Sequence, residues 1–258
     1  MCQSGGVQEA QVVIGGALFN APMLLGGQAA RADISCASCH SNGRRSAHFF
    51  LTGVSSQPGT ADVSSSFFSP VRANGKFDPK PIPDLALPGK VSRDPATGEL
   101  ERFLRGLIVE EFAGREPSRQ AIGALAAYVR SIGQCGSLQE QQRSLSDQIR
   151  LVRQSVQAAV AMVRLGDTES AAVLVSGARH QLGLIDERYA GQALRRQRQL
   201  LLASSRDLQP AATAGSPDPE HLLRWKAGFE RNVAPMLIRT QSRSLYNPAR
   251  LADWLRLH

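Results

Sequence analysis

Two cysteines and a histidine in the segment Cys36-Ala37-Ser38-Cys39-His40 have the residue types and spacing needed to hold a cofactor. Thiols three positions apart can each form a thioether with one vinyl group of a haem, and the adjoining imidazole can then bind the iron as proximal ligand. A bare C-x-x-C also occurs in redox dithiols and in zinc sites, but the following histidine and the lack of a second C-x-x-C disfavour both. The spacing therefore predicts one covalently bound haem c.

The second axial ligand of the iron is less well defined. Electron-transfer cytochromes c commonly use a downstream methionine, but no Met lies between His40 and Ile132. Met23 precedes the motif in a Gly-rich stretch, and His48 follows it. Three arrangements are therefore open: His48 as distal ligand, Met23 as distal ligand, or an open position that binds peroxide or another small ligand.

Other residues near the motif have predicted supporting roles. Arg44, Arg45 and Arg72 are expected to pair with haem propionates, to polarise a bound oxygen species, or simply to lie exposed. The Nδ1–H of a proximal histidine is commonly donated to a backbone carbonyl. Residues near Pro58 or in the range 81–83 are predicted to supply that carbonyl.

Two cysteines, Cys2 and Cys135, are left once the haem pair is assigned. Haem attachment to this motif normally happens outside the cytoplasm, where disulfides also persist, so we expect a periplasmic protein whose export signal is absent from the sequence. Cys2 has two interpretations. It is either the lipidated first residue of a mature lipoprotein or the disulfide partner of Cys135, and we favour the disulfide because it leaves no unpaired thiol.

Charge and hydropathy limit the classes of partner. The 258-residue chain has a formal charge of +8, but no Lys/Arg run is interleaved with aromatic residues, which disfavours nucleic acid. The basic surface is either simply solvated or a docking face for an acidic redox partner. No stretch approaches the roughly 18–20 uninterrupted apolar residues that a membrane span needs.

Hydrophobic periodicity predicts an all-α chain in two parts, a haem domain at 1–135 and a helical bundle at 136–258. In the haem domain, a long loop with successive Pro/Gly turn signals is expected from residue 41 to about 95. Helices are predicted over 9–19, 99–112 and 118–132, with a helical turn at the motif.

The bundle part is expected to contain antiparallel helices joined by short loops, with a linker at 209–219. Pro235 should kink or break its helix. His180, His221 and His258 lie in this part and are expected to face solvent rather than bind iron.

Residues 15–132 resemble a cytochrome c domain, on the basis of the segment before the motif, the motif itself and the closing helix. In that fold the first and last helices cross, and the resemblance implies Phe19 and Tyr128 as partners at the crossing, which would also bring Cys2 near Cys135. The run from Leu18 through His40 is similar to the bacterial dihaem cytochrome c peroxidase and MauG-type superfamily. That superfamily has two C-x-x-C-H motifs, whereas this chain has one, which puts a two-haem peroxidase mechanism in doubt.

Three functions follow from these expectations. The first is a monohaem electron carrier, or the haem subunit of a redox complex, with the bundle as a docking or assembly module and a redox protein, acidic or itself haem-containing, as partner. The second is a peroxidase or MauG-like enzyme with an open distal iron site. The third is a non-catalytic haem scaffold whose bundle has the main function.

Overall fold

Most of the described chain is helical, in agreement with the predicted all-α class. The computed structural model describes residues 7–64, 68–132, 143–213, 215 and 217–257. The chain divides into two units, Met1–Gln141 and Gln142–His258. The predicted boundary after residue 135 lies outside the described residues.

The first unit contains five α-helices among its described residues, and its longest two pack against each other. Their bounds are α1 Val7–Phe19, α2 Gly27–Arg31, α3 Cys36–Cys39, α4 Glu99–Gly106 and α5 Arg119–Ser131. The stretch between α1 and the motif contains α2 and a 3₁₀ turn at Pro22–Leu24. The helix predicted at 99–112 changes character at Leu107, where α4 continues as one π-helical turn through Glu111.

The crossing of α1 and α5 is close because a glycine lies at the contact. A Cβ at Gly15 would be 2.0 Å from the Ala124 carbonyl oxygen and 2.7 Å from Tyr128 Cβ. The two backbones therefore approach more closely than any side chain at this position would allow. Ser118 begins α5 as predicted, since its hydroxyl accepts the Ala121 N–H at 3.0 Å.

The long connection between the motif and α4 is largely irregular, as its turn signals predict. Its described residues contain one short antiparallel pair of strands, β1 Thr60–Ala61 and β2 Lys80–Pro81, in which Thr60 lies opposite Pro81. This pair brings residues around position 80 back toward the segment that follows the motif. The loop is therefore folded on itself and has its own hydrogen bonds.

The second unit begins with three long helices, of which the second packs on the first and the third on the second. A fourth helix packs on the first and the third. Their bounds are α6 Leu145–Arg164, α7 Thr168–Arg188, α8 Arg195–Thr213 and α9 Pro219–Gly228, and α10 Ala234–Thr240 and α11 Pro248–Leu257 follow. Apolar side chains at helical spacing on α6, including Val152, Val156 and Val160, are fully buried. Gly166 and Asp167 lie between α6 and α7, and Asp167 caps α7, since its carboxylate accepts the Ser170 N–H at 3.0 Å.

Two prolines in this unit affect their helices differently. The linker predicted from residue 209 is wrong in its first part, because α8 continues through Pro210 to Thr213. Leu208 and Ala211 are buried on the same helix, and their burial keeps the chain helical despite the missing N–H. Before Pro235 the helix is widened rather than broken, since a π-helical turn at Phe229–Val233 joins α9 to α10.

Candidate functional site

The cysteine–histidine motif lies on one helical turn, α3, as predicted. The Ser35 N–H donates to the Ser38 hydroxyl at 3.1 Å, which closes the start of the turn. The His40 N–H donates to the Cys36 carbonyl at 2.9 Å, and the Ser46 N–H donates to the Cys39 carbonyl at 3.1 Å. Backbone hydrogen bonds therefore fix the positions from which all three motif side chains project.

The two motif thiols are free and largely shielded from water. Cys36 and Cys39 form no disulfide, although they lie on the same turn. Burial raises the pKa of each thiol to about 12, and the proximity of Cys36 adds to the effect on Cys39. Both groups are therefore protonated thiols at neutral pH. A redox C-x-x-C site needs the opposite, because its attacking cysteine has a lowered pKa.

The His40 imidazole is neutral in this environment. Burial lowers its pKa to about 4, while the Pro83 backbone and the negative charge of Asp84 act in the opposite direction. Only the neutral ring has a lone pair available for a metal ion. Of the two ring nitrogens, Nδ1 is the one that is buried without a hydrogen-bond partner.

The Pro83 backbone, within the range 81–83 predicted from the sequence, opposes the lowering of the His40 pKa. Its carbonyl does not satisfy Nδ1 within hydrogen-bonding geometry. A buried ring nitrogen without a partner costs free energy. Asp84, the next residue, was not singled out by the sequence pattern.

Aromatic rings connect the motif to the helix crossing. The Phe19 ring centroid lies 5.1 Å from that of Tyr128, so the contact implied by the family resemblance is confirmed. The same Phe19 ring lies 6.4 Å from the His40 ring. The crossing of α1 and α5 therefore supports one side of the histidine.

Several large apolar side chains of the first unit face solvent. Exposed apolar surface is normal in isolated residues but suggests a ligand or partner where many occur together in one segment. Four of them come from the connection between the motif and α4: Phe50, Val71, Phe77 and Leu87. Phe103 on α4 and Met23 after α1 are also exposed.

The distal-ligand candidates are both at the surface. His48 lies in an exposed turn of the loop that follows the motif. Met23 is 54% exposed in a 3₁₀ turn. In the second unit, the His221 ring contacts the Asp207 carbonyl at 3.2 Å, and His180 is partly buried on α7. His258 lies outside the described residues.

Two of the three candidate arginines have carboxylate partners. Arg44 pairs with Asp84 at 2.7 Å between Nη2 and Oδ2. Arg72 pairs with Glu110 and, at 3.5 Å, with the buried Glu111. Arg45 is exposed. A propionate contact from Arg44 or Arg72 would therefore have to share or replace an existing ion pair.

A further ion pair that the sequence did not predict holds the helices around the site together. Arg130 on α5 makes two hydrogen bonds to the Glu101 carboxylate on α4, at 2.7 and 2.9 Å. Its Nε also donates to the Arg93 carbonyl at 2.7 Å. This two-pronged geometry is the stronger form of an Arg–carboxylate contact. Arg130 lies near the end of α5, and no local pattern in the sequence indicates that Glu101 is its partner.

The predicted disulfide between Cys2 and Cys135 falls on residues outside those described. Within the described ranges, no group of three or more His, Cys, Asp and Glu side chains converges as a direct metal site. None of the described helices is both long and apolar enough to cross a membrane.

Comparisons with protein-family models, with curated proteins and with solved structures find no match for this chain. The geometry of α3 and its surroundings is therefore the basis for a functional assignment.

Proposed function

We propose that this chain is a monohaem c-type cytochrome that transfers electrons, with Cys36 and Cys39 as thioether residues and His40 as proximal ligand. One observation carries the proposal: two unpaired thiols and an imidazole project from the same capped helical turn, with the spacing of a haem c attachment motif. The side chains fit the group chemically. Nδ1 of His40 is buried without a hydrogen-bond partner, so Nε2 is the ring nitrogen that we propose as the iron ligand.

Each motif residue has a defined chemical role in this proposal. A thiol S–H adds across a vinyl double bond, so that a C–S bond forms, the hydrogen goes to the other vinyl carbon, and no oxidant is consumed. The low pKa of His40 keeps its ring neutral across the physiological range, which leaves a nitrogen lone pair for the iron. When bound, the haem supplies an iron that alternates between ferric and ferrous states, so one electron is stored and released.

The surroundings of the motif support a haem better than the other uses of a C-x-x-C pair. A zinc site needs further ligands close to the two thiols, and the described residues contain no such cluster. A redox dithiol needs a thiol with a lowered pKa, whereas burial raises both. The loop that follows the motif also exposes Phe50, Phe77 and Leu87, and we propose that part of this apolar surface is covered by the haem.

Covalent attachment tests this proposal directly. Expression in a periplasm that contains haem-attachment enzymes should give a protein whose mass exceeds the chain's by one haem, and the colour should persist on a denaturing gel. Cys36→Ala with Cys39→Ala should lose the colour, whereas Ser38→Ala on the same turn should keep it. A haem that dissociates from the unaltered chain in denaturant would contradict the assignment.

A second candidate is a peroxidase-like enzyme with an open distal iron position. It is favoured by the exposure of both distal candidates, His48 and Met23. A high-spin ferric spectrum that changes with added peroxide would favour the enzyme. A low-spin spectrum in both oxidation states would favour the carrier, and its loss in His48→Ala would identify the ligand.

The proposal places the chain in the periplasm, with an acidic or haem-containing redox protein as partner. The formal charge of +8 supports the acidic partner, because complementary charge accelerates encounter. The second unit is proposed as the docking or assembly module. Lipidation of Cys2, as the alternative to its disulfide with Cys135, would show as a diacylglycerol mass increment at the N-terminus.

A further inference from the structure

We propose that the groove between α7 and α8 binds a single-chain aliphatic carboxylate, whose apolar chain lies over Gly183 and Leu202 and whose carboxylate pairs with Arg195. The site belongs to the second unit alone. It does not depend on the proposed haem function, so either proposal can fail without the other.

The groove is a cavity of suitable size for such a ligand. Its volume is about 570 Å³, and its lining residues lie between Leu182 and Ser205, on α7, on α8 and on the connection that joins them. Small-molecule sites commonly range from roughly 300 to 1,000 Å³. Because α7 and α8 are long helices packed on each other, most of the wall consists of rigid elements rather than loops.

A glycine leaves the floor of the groove open. Gly183 lies within α7, where glycine is unfavourable relative to alanine. Among the described residues, a Cβ at this position would meet no side chain and no backbone of a neighbouring element within 4 Å. Close packing therefore does not require glycine here, unlike at Gly15. The consequence of this residue is open space at the point where a side chain would otherwise fill the groove.

Leucines supply the apolar surface of the groove. Leu182 and Leu201 are buried beneath it, at 1% exposure each, and both also line the cavity. Leu202 lines the same cavity and is 49% exposed. An aliphatic chain seated over Gly183 would remove part of the Leu202 side chain from water, which favours binding in proportion to the apolar area buried.

One cation at the groove has no carboxylate partner. The Asp186 carboxylate accepts two hydrogen bonds from Arg198, from Nε at 3.1 Å and from Nη2 at 2.9 Å, so these two charges offset each other. Arg195 instead donates to the neutral side-chain oxygen of Gln192. Among the described residues that line the groove, Arg195 is thus the cation left for a ligand.

This charge distribution selects the ligand's head group. A guanidinium matches a carboxylate through two parallel N–H donors, and a charged acceptor binds it more strongly than the Gln192 amide does. A single available cation suits a monoanion. A cationic head group would be repelled by Arg195 and would find Asp186 already paired with Arg198.

Titration calorimetry of the full chain with decanoate, below its micelle-forming concentration, tests the site. One decanoate should bind per chain, and decanol, which has the same chain length without the charge, should bind about tenfold more weakly. Arg195→Gln should weaken decanoate binding by about the same factor and leave decanol binding unchanged. Arg196→Gln is the matched control, because this neighbouring arginine of α8 is exposed but does not line the groove.

A second substitution tests the position of the chain. Gly183→Leu should fill the groove and abolish decanoate binding, whereas Gly123→Leu, on an open face of α5, should not. If Gly183→Leu fails to fold, Leu202→Ser replaces it and should weaken decanoate and decanol alike. No binding to the unaltered chain, equal weakening by Arg195→Gln and Arg196→Gln, or full binding to Gly183→Leu or Leu202→Ser would each overturn the inference.

Discussion

Burial, rather than charge, sets the state of the side chains that matter most at the residue scale. It raises the pKa of Cys36 and Cys39 and lowers that of His40, so all three groups are neutral at physiological pH. The identity of these residues could be predicted from their spacing alone. For the backbone near His40 the sequence predicted only the range 81–83, and it did not indicate Asp84. Both Pro83 and Asp84 lie on a loop whose path is set by long-range hydrogen bonds, which local patterns do not reveal.

Two tyrosines of the second unit have buried hydroxyls that differ in one hydrogen bond. The Tyr189 hydroxyl donates to the Leu237 carbonyl at 2.6 Å, whereas the Tyr246 hydroxyl is buried without a partner. Tyr189→Phe should lower the free energy of unfolding by only about 1 kcal/mol, because the Leu237 carbonyl keeps a hydrogen bond from Thr240. Tyr246→Phe should leave it unchanged or raise it by about 1 kcal/mol. Urea denaturation of both variants measures the free energy of unfolding, and an equal loss of that free energy in the two variants would contradict the prediction.

The same tyrosines predict a loss of stability at high pH. Burial raises the pKa of Tyr189 from 10.0 to about 12 and also raises that of Tyr246. Between those values the folded chain holds a proton that the unfolded chain has released, so stability is fully present below pH 10 and falls as pH rises toward 12. Tyr189 alone would contribute up to about 3 kcal/mol. Denaturation midpoints from pH 9 to 12 should decline less steeply in Tyr189→Phe.

At the scale of elements, helix ends were more predictable than loops. Ser118, Asp167 and the start of α11 at Pro248 gave local signals that the structure follows. Pro210 also gave a clear local signal, but burial of its neighbours outweighed it. Local rules therefore succeed where the decisive contacts are within one turn, and they fail where packing against another helix decides the outcome.

The crossing of α1 and α5 gives an element-scale prediction with a matched control. Gly15→Ala places a methyl group against the Ala124 backbone and should destabilise the first unit by about 3 kcal/mol or more. Gly123→Ala adds the same group to an open face of α5 and should stabilise by up to about 1 kcal/mol. Thermal unfolding followed by circular dichroism distinguishes them. Similar behaviour of the two variants would show that the crossing is not as close as described.

At the scale of the whole molecule, the two units should behave as separable parts. Each has its own buried apolar residues, such as Leu18 and Leu125 in the first and Leu174 and Leu182 in the second. A fragment of residues 142–258 should therefore unfold cooperatively by itself, while the fragment 1–141 should take up all of the haem that the proposed function requires. Calorimetry and a haem stain test the two halves of this prediction. Haem on the second fragment would contradict both the site and the division.

The contact between α1 and α5 also determines the order in which the chain can become structured. These helices join residues about one hundred positions apart, from Gly15 to Ala124, whereas α6, α7 and α8 each pack on the next helix along the chain. Contacts between distant residues form slowly because a large loop must close first. The motif cysteines are therefore synthesised long before the helix that completes their unit, and during this interval both thiols stay accessible, as the proposed haem attachment would require.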